Sequence, residues 1–470
     1  MTTASSLKTL SLAGLMLAAA SGCSDFESSF APSQRTLALI PEARTGVGET
    51  PGVTQVVDEH FGNPQHLKAW MKLPVAWGGT NASVSEYVEA GTKVRFEVDE
   101  EAPLPETATT LVFTSGANAG KSFQLASWDA ASGEAVLAVA PESVPAAGDT
   151  CSIDAGSLLQ SGRVLYMRHC SHCHGTAGDG NGPTAQYLMP KPRDYRHGVF
   201  KFTSTIDSSR ATRDDLLRVL KYGIPGTYMP SFLLMKDEEL QALVEYVRFL
   251  AMRGEYERKL VNELFSDFST SAVQETRKGE ARSAIVAELE EFLKDDMPGI
   301  AETAGEELAE TWTIAEAEES RVVPSVPRVP DTPESRRRGR ELYVSKNINC
   351  ANCHGIDGAG NGPQTIAYDK DPETGIPREQ PGLYDVWGNI NQPRNLQTGI
   401  FRGGRRPIDV FARIYSGIKG SAMPAFKNTP HEDIWHMVNY VLSMQFETET
   451  GVAGEAPAEA VAAAPSESQN

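Results

Sequence analysis

Two five-residue segments, CSHCH and CANCH, carry the side chains best suited to chemistry in this sequence. Each has two thiols separated by two residues, with a histidine directly after the second thiol. This CxxCH spacing lets the thiols form thioether bonds to a porphyrin while the histidine binds the iron from one face. The sequence therefore predicts two covalently bound haems, held by Cys170, Cys173 and His174 and by Cys350, Cys353 and His354.

A CxxC pair has other uses, and they stay open as alternatives at this point. It can form a disulfide, act as a redox dithiol or supply half of a four-cysteine zinc site. A zinc site that used both pairs would require them to meet across 180 residues. It would also leave the histidine after each pair unexplained, which favours the haem interpretation.

The two motifs lie in an internal repeat. The first copy reads GRVLYMRHCSHCHGTAGDGNGP, PRDYRHGVFKF, DDLLRVLKYGIPGTYMPSF and DEELQALVEYVRFL. The second copy has the same blocks in the same order, GRELYVSKNINCANCHGIDGAGNGP, QPRNLQTGIFRGG, DVFARIYSGIKGSAMPAF and HEDIWHMVNYVLSM. From the motif histidine to the methionine of the MP pair is 55 residues in the first copy and 69 in the second. The difference predicts a 14-residue insertion around DKDPETGIPREQPGLYDVWG.

Each repeat places a methionine before a proline in a glycine-rich loop, IPGTYMP and IKGSAMP. Glycine lets such a loop approach a ring closely, and the following proline fixes its direction. We therefore predict that Met229 and Met423 are the second axial ligands of the two irons. Methionines on the helices, such as Met167 and Met444, are better explained as packing residues.

These motifs resemble class I c-type cytochromes, especially the dihaem cytochrome c subunits or partners of respiratory complexes. The resemblance covers about 210 residues in two copies. It implies an all-α fold for each copy, in which the first helix crosses the last at a glycine. It also implies that Pro183 and Pro363 give their carbonyls to the ligand histidines. Arg193 and Arg394 are candidates to pair with haem propionates.

The iron ligands determine which function is expected. A filled sixth position favours electron transfer, whereas an open one admits ligands such as peroxide. We expect an electron carrier, without catalytic residues or a small-molecule substrate, between a quinol-oxidising complex or periplasmic dehydrogenase and a terminal oxidase or other acceptor. The partners would be redox proteins or respiratory membrane complexes. The alternatives are a dihaem peroxidase-type enzyme and the cytochrome subunit of a specific dehydrogenase.

The charge of the chain argues against nucleic acid as a partner. The formal net charge is -19, from 43 Lys and Arg against 62 Asp and Glu. Phosphate binding requires a basic footprint, which so acidic a chain does not offer. The two repeats are mildly basic, with 12 Lys and Arg against 9 Asp and Glu in residues 156–250 and 14 against 10 in residues 336–446.

The N-terminus is typical of an export signal. Lys8 precedes an apolar stretch from Leu10 to Ala20, and small residues lead to Cys23. This pattern resembles a bacterial lipoprotein signal and predicts that Cys23 carries a lipid anchor. The mature protein is then expected at the periplasmic face of a bacterial membrane.

The whole chain is expected to be multidomain. Alternating runs such as TKVRFEV, TTLVFT, KSFQLASW and EAVLAVA predict a small antiparallel β domain that ends near Cys151, an unpaired thiol. The expected organisation is a signal peptide (1–22), a tether (23–81), the β domain (82–154), a first all-α cytochrome c domain (155–252), an acidic helical connector with a Pro-rich strap (253–334), a second all-α cytochrome c domain (335–447) and a disordered tail (448–470).

Overall fold

The computed structural model of the protein describes residues 29–88, 92–97, 103–207, 209–371 and 375–450. Residues 1–28, which include the predicted signal peptide and Cys23, and residues 451–470 lie outside this range. The helices are α1 (Gln34–Leu37), α2 (Pro41–Thr45), α3 (Val53–Phe61), α4 (Ser157–His169), α5 (Ser171–His174), α6 (Arg213–Tyr222), α7 (Asp237–Phe268), α8 (Thr270–Glu275), α9 (Arg282–Asp295), α10 (Met297–Ile314), α11 (Pro333–Val344), α12 (Ala351–His354), α13 (Pro407–Ser416) and α14 (His431–Thr450). The strands are β1 (Thr80–Val88), β2 (Lys93–Phe96), β3 (Thr110–Phe113), β4 (Ser122–Asp129), β5 (Glu134–Leu137) and β6 (Thr150–Ile153).

These elements form two compact units. Of the described residues, the first unit contains those in the ranges 29–70, 82–156 and 261–297. The second contains those in the ranges 71–81, 157–260 and 298–450, and so holds both repeats. None of the helices that the structure describes is long and apolar enough to span a membrane.

The β domain is a closed antiparallel barrel with strand order β1-β2-β5-β4-β3-β6. Four strands follow the alternating runs of the sequence, and β1 and β6 complete the barrel. Alternate side chains on the strands point inward and form one core, which contains Val84, Val94, Phe96, Leu111, Phe113, Ala135, Leu137, Cys151 and Ile153. The predicted small antiparallel β domain is therefore confirmed.

Cys151 lies on β6 and is part of that core. Its thiol contacts the carbonyl oxygen of Ala82 at 3.4 Å, and no disulfide joins it to another described cysteine. Burial raises the pKa of this thiol to about 12. Cys151 is thus a protonated packing residue.

The described residues that precede the barrel do not form the expected tether. Helices α1 to α3 lie there, and the backbone N–H of Ile40 donates to the carbonyl of Phe268 at 2.9 Å. Several apolar side chains in this segment are buried, including Phe30, Leu39, Val53, Val57 and Phe61. Valine and phenylalanine at helical spacing give α3 one apolar face, and the Pro and Gly content of the segment hid this signal.

The structure divides the acidic segment after the first repeat between its two units. Helix α7 runs without a break across the expected boundary at residue 252, and α8 and α9 belong to the first unit while α10 belongs to the second. Trp312 of α10 is fully buried, and its indole N–H donates to Glu255 at 2.8 Å. The acidic residues cover the solvent side of helices whose other side is buried.

In each repeat the first helix crosses the last at a glycine. A Cβ atom added at Gly162 on α4 would lie 2.1 Å from the carbonyl oxygen of Ala242 on α7. A Cβ atom at Gly339 on α11 would lie 2.1 Å from the carbonyl oxygen of His436 on α14. Only glycine allows the two backbones to approach this closely.

We predict that Gly339→Ala destabilises the second repeat by about 1–3 kcal/mol, because the added methyl group forces the two helices apart. The measurement is the midpoint of thermal unfolding. The matched control is Gly299→Ala, a helical glycine on α10 with open space around its Cα. This control should leave stability unchanged or raise it by up to about 1 kcal/mol. Equal effects of the two substitutions would contradict the role of the crossing.

Candidate haem sites

Each CxxCH motif forms a single helical turn, and this turn gathers its three functional side chains. The N–H of His174 donates to the carbonyl of Cys170 at 2.9 Å, and the N–H of His354 donates to the carbonyl of Cys350 at 2.9 Å. Residues at positions i, i+3 and i+4 of a helix share one face. The two thiols and the imidazole of each motif therefore face the same side of α5 or α12.

A main-chain carbonyl fixes the orientation of each imidazole. Nδ1 of His174 lies 3.1 Å from the carbonyl oxygen of Arg193, and Nδ1 of His354 lies 3.3 Å from that of Arg394. A carbonyl oxygen can only accept, so Nδ1 carries the proton in both rings. The lone pair is left on Nε2, which is the arrangement needed for a metal ligand.

The two prolines expected to supply these carbonyls do not do so. The loop after the first motif folds back on the motif helix, because Gly182 N–H donates to Cys173 O at 3.1 Å. Pro183 then accepts from the side chain of Gln186 at 3.3 Å, and Pro363 begins a short 3₁₀ helix that ends at Ile366. The prolines lie beside the motif helix, and the chain reaches the imidazole only at the PR pair that follows.

The position of the PR pairs also corrects the size of the insertion. Arg193 follows His174 by 19 residues, whereas Arg394 follows His354 by 40. The second repeat therefore has 21 extra residues before its PR pair, since 40 minus 19 is 21. From the PR arginine to the methionine is 36 residues in the first repeat and 29 in the second. The second repeat thus has 21 more residues before the PR pair and 7 fewer after it, and the expected insertion of 14 is the net difference.

Burial keeps both imidazoles neutral. It lowers the pKa of His174 to about 4 and holds the pKa of His354 below its usual range. The ring of Tyr195 stacks on His174 with centroids 4.8 Å apart. A neutral imidazole with a free Nε2 is the form that binds iron.

The four motif cysteines form no disulfide with any described cysteine, and burial makes three of their thiols hard to ionise. Burial raises the pKa of Cys170 and of Cys350 to about 12 and also raises that of Cys353. A redox dithiol has a lowered thiol pKa, so these values argue against that alternative. Within the described residues, no group of three or more His, Cys, Asp or Glu side chains has the geometry to hold a metal ion, which gives no support to a zinc site.

A buried tyrosine ties each motif to the crossing helix before it. The hydroxyl of Tyr166 on α4 donates to the carbonyl of Gly175 at 2.8 Å, and that of Tyr343 on α11 donates to Gly355 at 2.8 Å. Each glycine directly follows the motif histidine. Sequence reasoning missed this contact, although both copies carry tyrosine at the same position of the GRxLY block.

The two methionine loops have the same internal structure. In the first loop Ile224 N–H donates to the carbonyl of Met229 at 3.1 Å, and the N–H of Met229 donates to Thr227 Oγ1 at 3.1 Å. The second loop has the corresponding bonds at 3.2 Å each, between Ile418 and Met423 and between Met423 and Ser421. In the second repeat Met423 and Cys350 pack against one apolar core. The structure thus brings parts of the predicted ligand set together.

The residues present fit a haem group. Arg193 is largely buried, and burial lowers the pKa of its guanidinium to about 10. Nε1 of Trp387 and Nε of Arg402 are buried donors without a hydrogen-bond partner among the described residues. Carboxylates such as those of a haem would satisfy these donors and offset this charge. Bound haem supplies an iron that changes its valence by one electron.

Two family models match the two repeats. Residues 157–247 match the family model of cytochrome c oxidase, cbb3-type, subunit III, and residues 337–445 match that of cytochrome c. No curated protein matches the sequence. A solved structure of the reducing HAO-like protein complex of Kuenenia stuttgartiensis is 23% identical, with 61% of this chain and 96% of that chain covered and a TM-score of 0.41.

We predict that Tyr343→Phe destabilises the second repeat by about 1–3 kcal/mol, because the buried carbonyl of Gly355 loses its donor. Chemical denaturation of the haem-loaded protein measures this change. The matched control is Tyr384→Phe, whose hydroxyl donates to Gln380 at an exposed site. The control should change stability by less than about 0.5 kcal/mol. A Tyr343→Phe protein as stable as this control would contradict the proposed tie.

Proposed function

We propose that this chain, which contains two cytochrome c-type domains, is a dihaem class I c-type cytochrome that carries single electrons. The observation that supports this most is the repetition of one ligand arrangement. Both repeats present a neutral imidazole with a fixed Nδ1, two free thiols on the same helical face and a methionine in a hydrogen-bonded loop.

Each side chain has a defined role in this proposal. The thiols of Cys170 and Cys173 would attach the first haem, and those of Cys350 and Cys353 the second. His174 and Met229 would bind the first iron through the imidazole and the methionine sulfur, and His354 and Met423 would bind the second in the same way. Ligation by His and Met raises the potential of an iron relative to two histidines. Two irons whose coordination positions are all occupied suit electron exchange and leave no coordination position for a substrate.

The same repetition disfavours the peroxidase alternative. A dihaem peroxidase requires one iron with an open or displaceable position. Here the loops of Met229 and Met423 have the same internal hydrogen-bond pattern. Neither repeat is therefore distinguished as the one with a reactive iron. A dedicated cytochrome subunit of one dehydrogenase differs from the main proposal only in its partner.

The proposed place in the cell follows from the N-terminal signal. Export would bring the motifs to the compartment where haem is attached to thiols, and a lipid on Cys23 would hold the protein at the periplasmic face of the membrane. There it would pass electrons from a quinol-oxidising complex or periplasmic dehydrogenase to a terminal oxidase or other acceptor. Membrane fractionation of the wild type and of Cys23→Ser tests the anchor.

We predict that Met229→Ala and Met423→Ala each remove about half of the near-infrared Met-to-iron band of the oxidised protein, because each deletes one of two equivalent ligands. Each should also lower one midpoint potential while the other stays in place. Absorption spectroscopy and a redox titration measure both effects.

The matched control is Met167→Ala, a partly exposed methionine on α4. It should leave the band and both potentials unchanged. If both loop variants keep the full band, Met229 and Met423 are not the axial ligands. Peroxide turnover by the wild-type protein would instead support the peroxidase alternative.

A further inference from the structure

The segment that the second repeat has and the first lacks forms a tight turn that carries Trp387. Asp385 N–H donates to the carbonyl of Asn389 at 2.9 Å, and Asp385 Oδ1 accepts from the N–H groups of Trp387 and Asn389 at 3.2 and 3.0 Å. A turn closed in this way holds the indole in one direction. Val386, next to it, points its side chain to solvent.

The face of the indole lies against the first repeat. The guanidinium carbon of Arg193 is 3.5 Å from the centroid of the Trp387 ring, and the ring of His197 is 5.6 Å away. An ion pair between Lys201 and Asp385 at 3.0 Å fixes the same turn, and both of its side chains are nearly buried. The carbonyl of Arg193 is the one that orients His174. Arg193 therefore contacts both Trp387 and His174, the proposed iron ligand of the first site.

The edge of the same indole lies against the methionine loop of the second repeat. A Cβ atom at Gly420 would lie 2.6 Å from the Trp387 ring, and Gly420 has a left-handed backbone with φ of 68°. The N–H of Val386 donates to the carbonyl of Gly420 at 3.0 Å. Gly420 precedes Met423 by three residues. The indole therefore contacts the loop that carries the second proposed thioether ligand.

The two repeats face each other across a contact that holds this arrangement. Phe202 and Gly403, which occupy equivalent positions after the PR pairs, meet there, since a Cβ at Gly403 would lie 2.6 Å from Phe202. Arg218 donates to Asp409 of the other repeat at 2.7 Å. Arg402 also donates to the carbonyl of Gly226 in the first methionine loop, at 3.4 Å. The first methionine loop therefore contacts the second repeat.

We propose that Trp387 is a positioning residue for both haem sites, acting on His174 through Arg193 and on Met423 through Gly420. The inference rests on the proposed dihaem function and adds that the two ligand sets share one aromatic support. Stacking of a guanidinium on an indole face and close packing on a glycine are both lost when the ring is removed.

The test measures each site separately. Trp387→Ala is made in the Met229→Ala and Met423→Ala backgrounds, so that the remaining Met-to-iron band and the electron paramagnetic resonance signals of ferric haem report on one intact site at a time. We expect a weakened band and shifted resonance signals at both sites. Trp387→Phe keeps the aromatic face, although it loses the Nε1 donor offered to the haem carboxylates, and should restore the Met-to-iron band at both sites. Val386→Ala is the matched control and should change neither.

The proposal is overturned if Trp387→Ala alters one site or none, if Trp387→Phe is as disruptive as Trp387→Ala, or if Val386→Ala has the same effect. Should Trp387→Ala fail to fold, Arg193→Met in the Met229→Ala background takes its place. That substitution lies in the first repeat and should still weaken the band of the Met423 site, and an unchanged band would overturn the proposal. A wild-type protein without two haems or without the band contradicts the proposed function itself, independently of Trp387.

Discussion

The rest of the structure depends on a buried imidazole that must remain neutral and point in one direction. A charged or freely rotating histidine could not serve as a dependable iron ligand, and burial combined with a single main-chain acceptor removes both possibilities. The acceptor is the carbonyl of Arg193 or Arg394, so the chain must leave the motif, fold back along it and return at the PR pair. The glycines after each motif make this path possible.

The crossing helices also help to fix the position of the motif histidine. Gly162 and Gly339 let the first and last helices of each repeat approach closely, and the tyrosine one turn later reaches the carbonyl that follows the motif histidine. Helix packing thereby fixes the end of the motif turn as well as the core. This explains why the small residue and the tyrosine recur at the same spacing in both copies.

The contact between the repeats contains charges that are expensive to bury. Burial lowers the pKa of Lys201 and of Lys419 to about 8, although Asp385 accepts from the first and the carbonyl of Ser209 from the second. Buried ion pairs contribute little net stability, since the loss of hydration offsets their attraction. These buried charges instead specify how the two repeats align, because a misaligned contact would leave a charge unpaired. The pairing of Arg218 with Asp409 has the same character.

The sequence alone was sufficient where chemistry requires a fixed spacing. The CxxCH motifs, the internal repeat and the alternating strands of the barrel were all recognisable. The sequence was insufficient where a main-chain carbonyl makes the contact. Pro183 and Arg193 both offer a carbonyl oxygen, and only the path of the loop determines which one reaches the imidazole of His174. The segments expected to be a tether and a connector contain buried helical residues, since a few apolar side chains at helical spacing, such as Val53 and Phe61 or Trp312, suffice to bury a segment rich in Gly, Pro or acid.

The most direct test of the account is peptide mass spectrometry of the mature protein after proteolysis, combined with metal analysis. The peptide with Cys170 and Cys173 and the peptide with Cys350 and Cys353 should each carry one covalent haem, and the protein should contain two irons. Unmodified cysteines at both pairs, or zinc in place of iron, would contradict it.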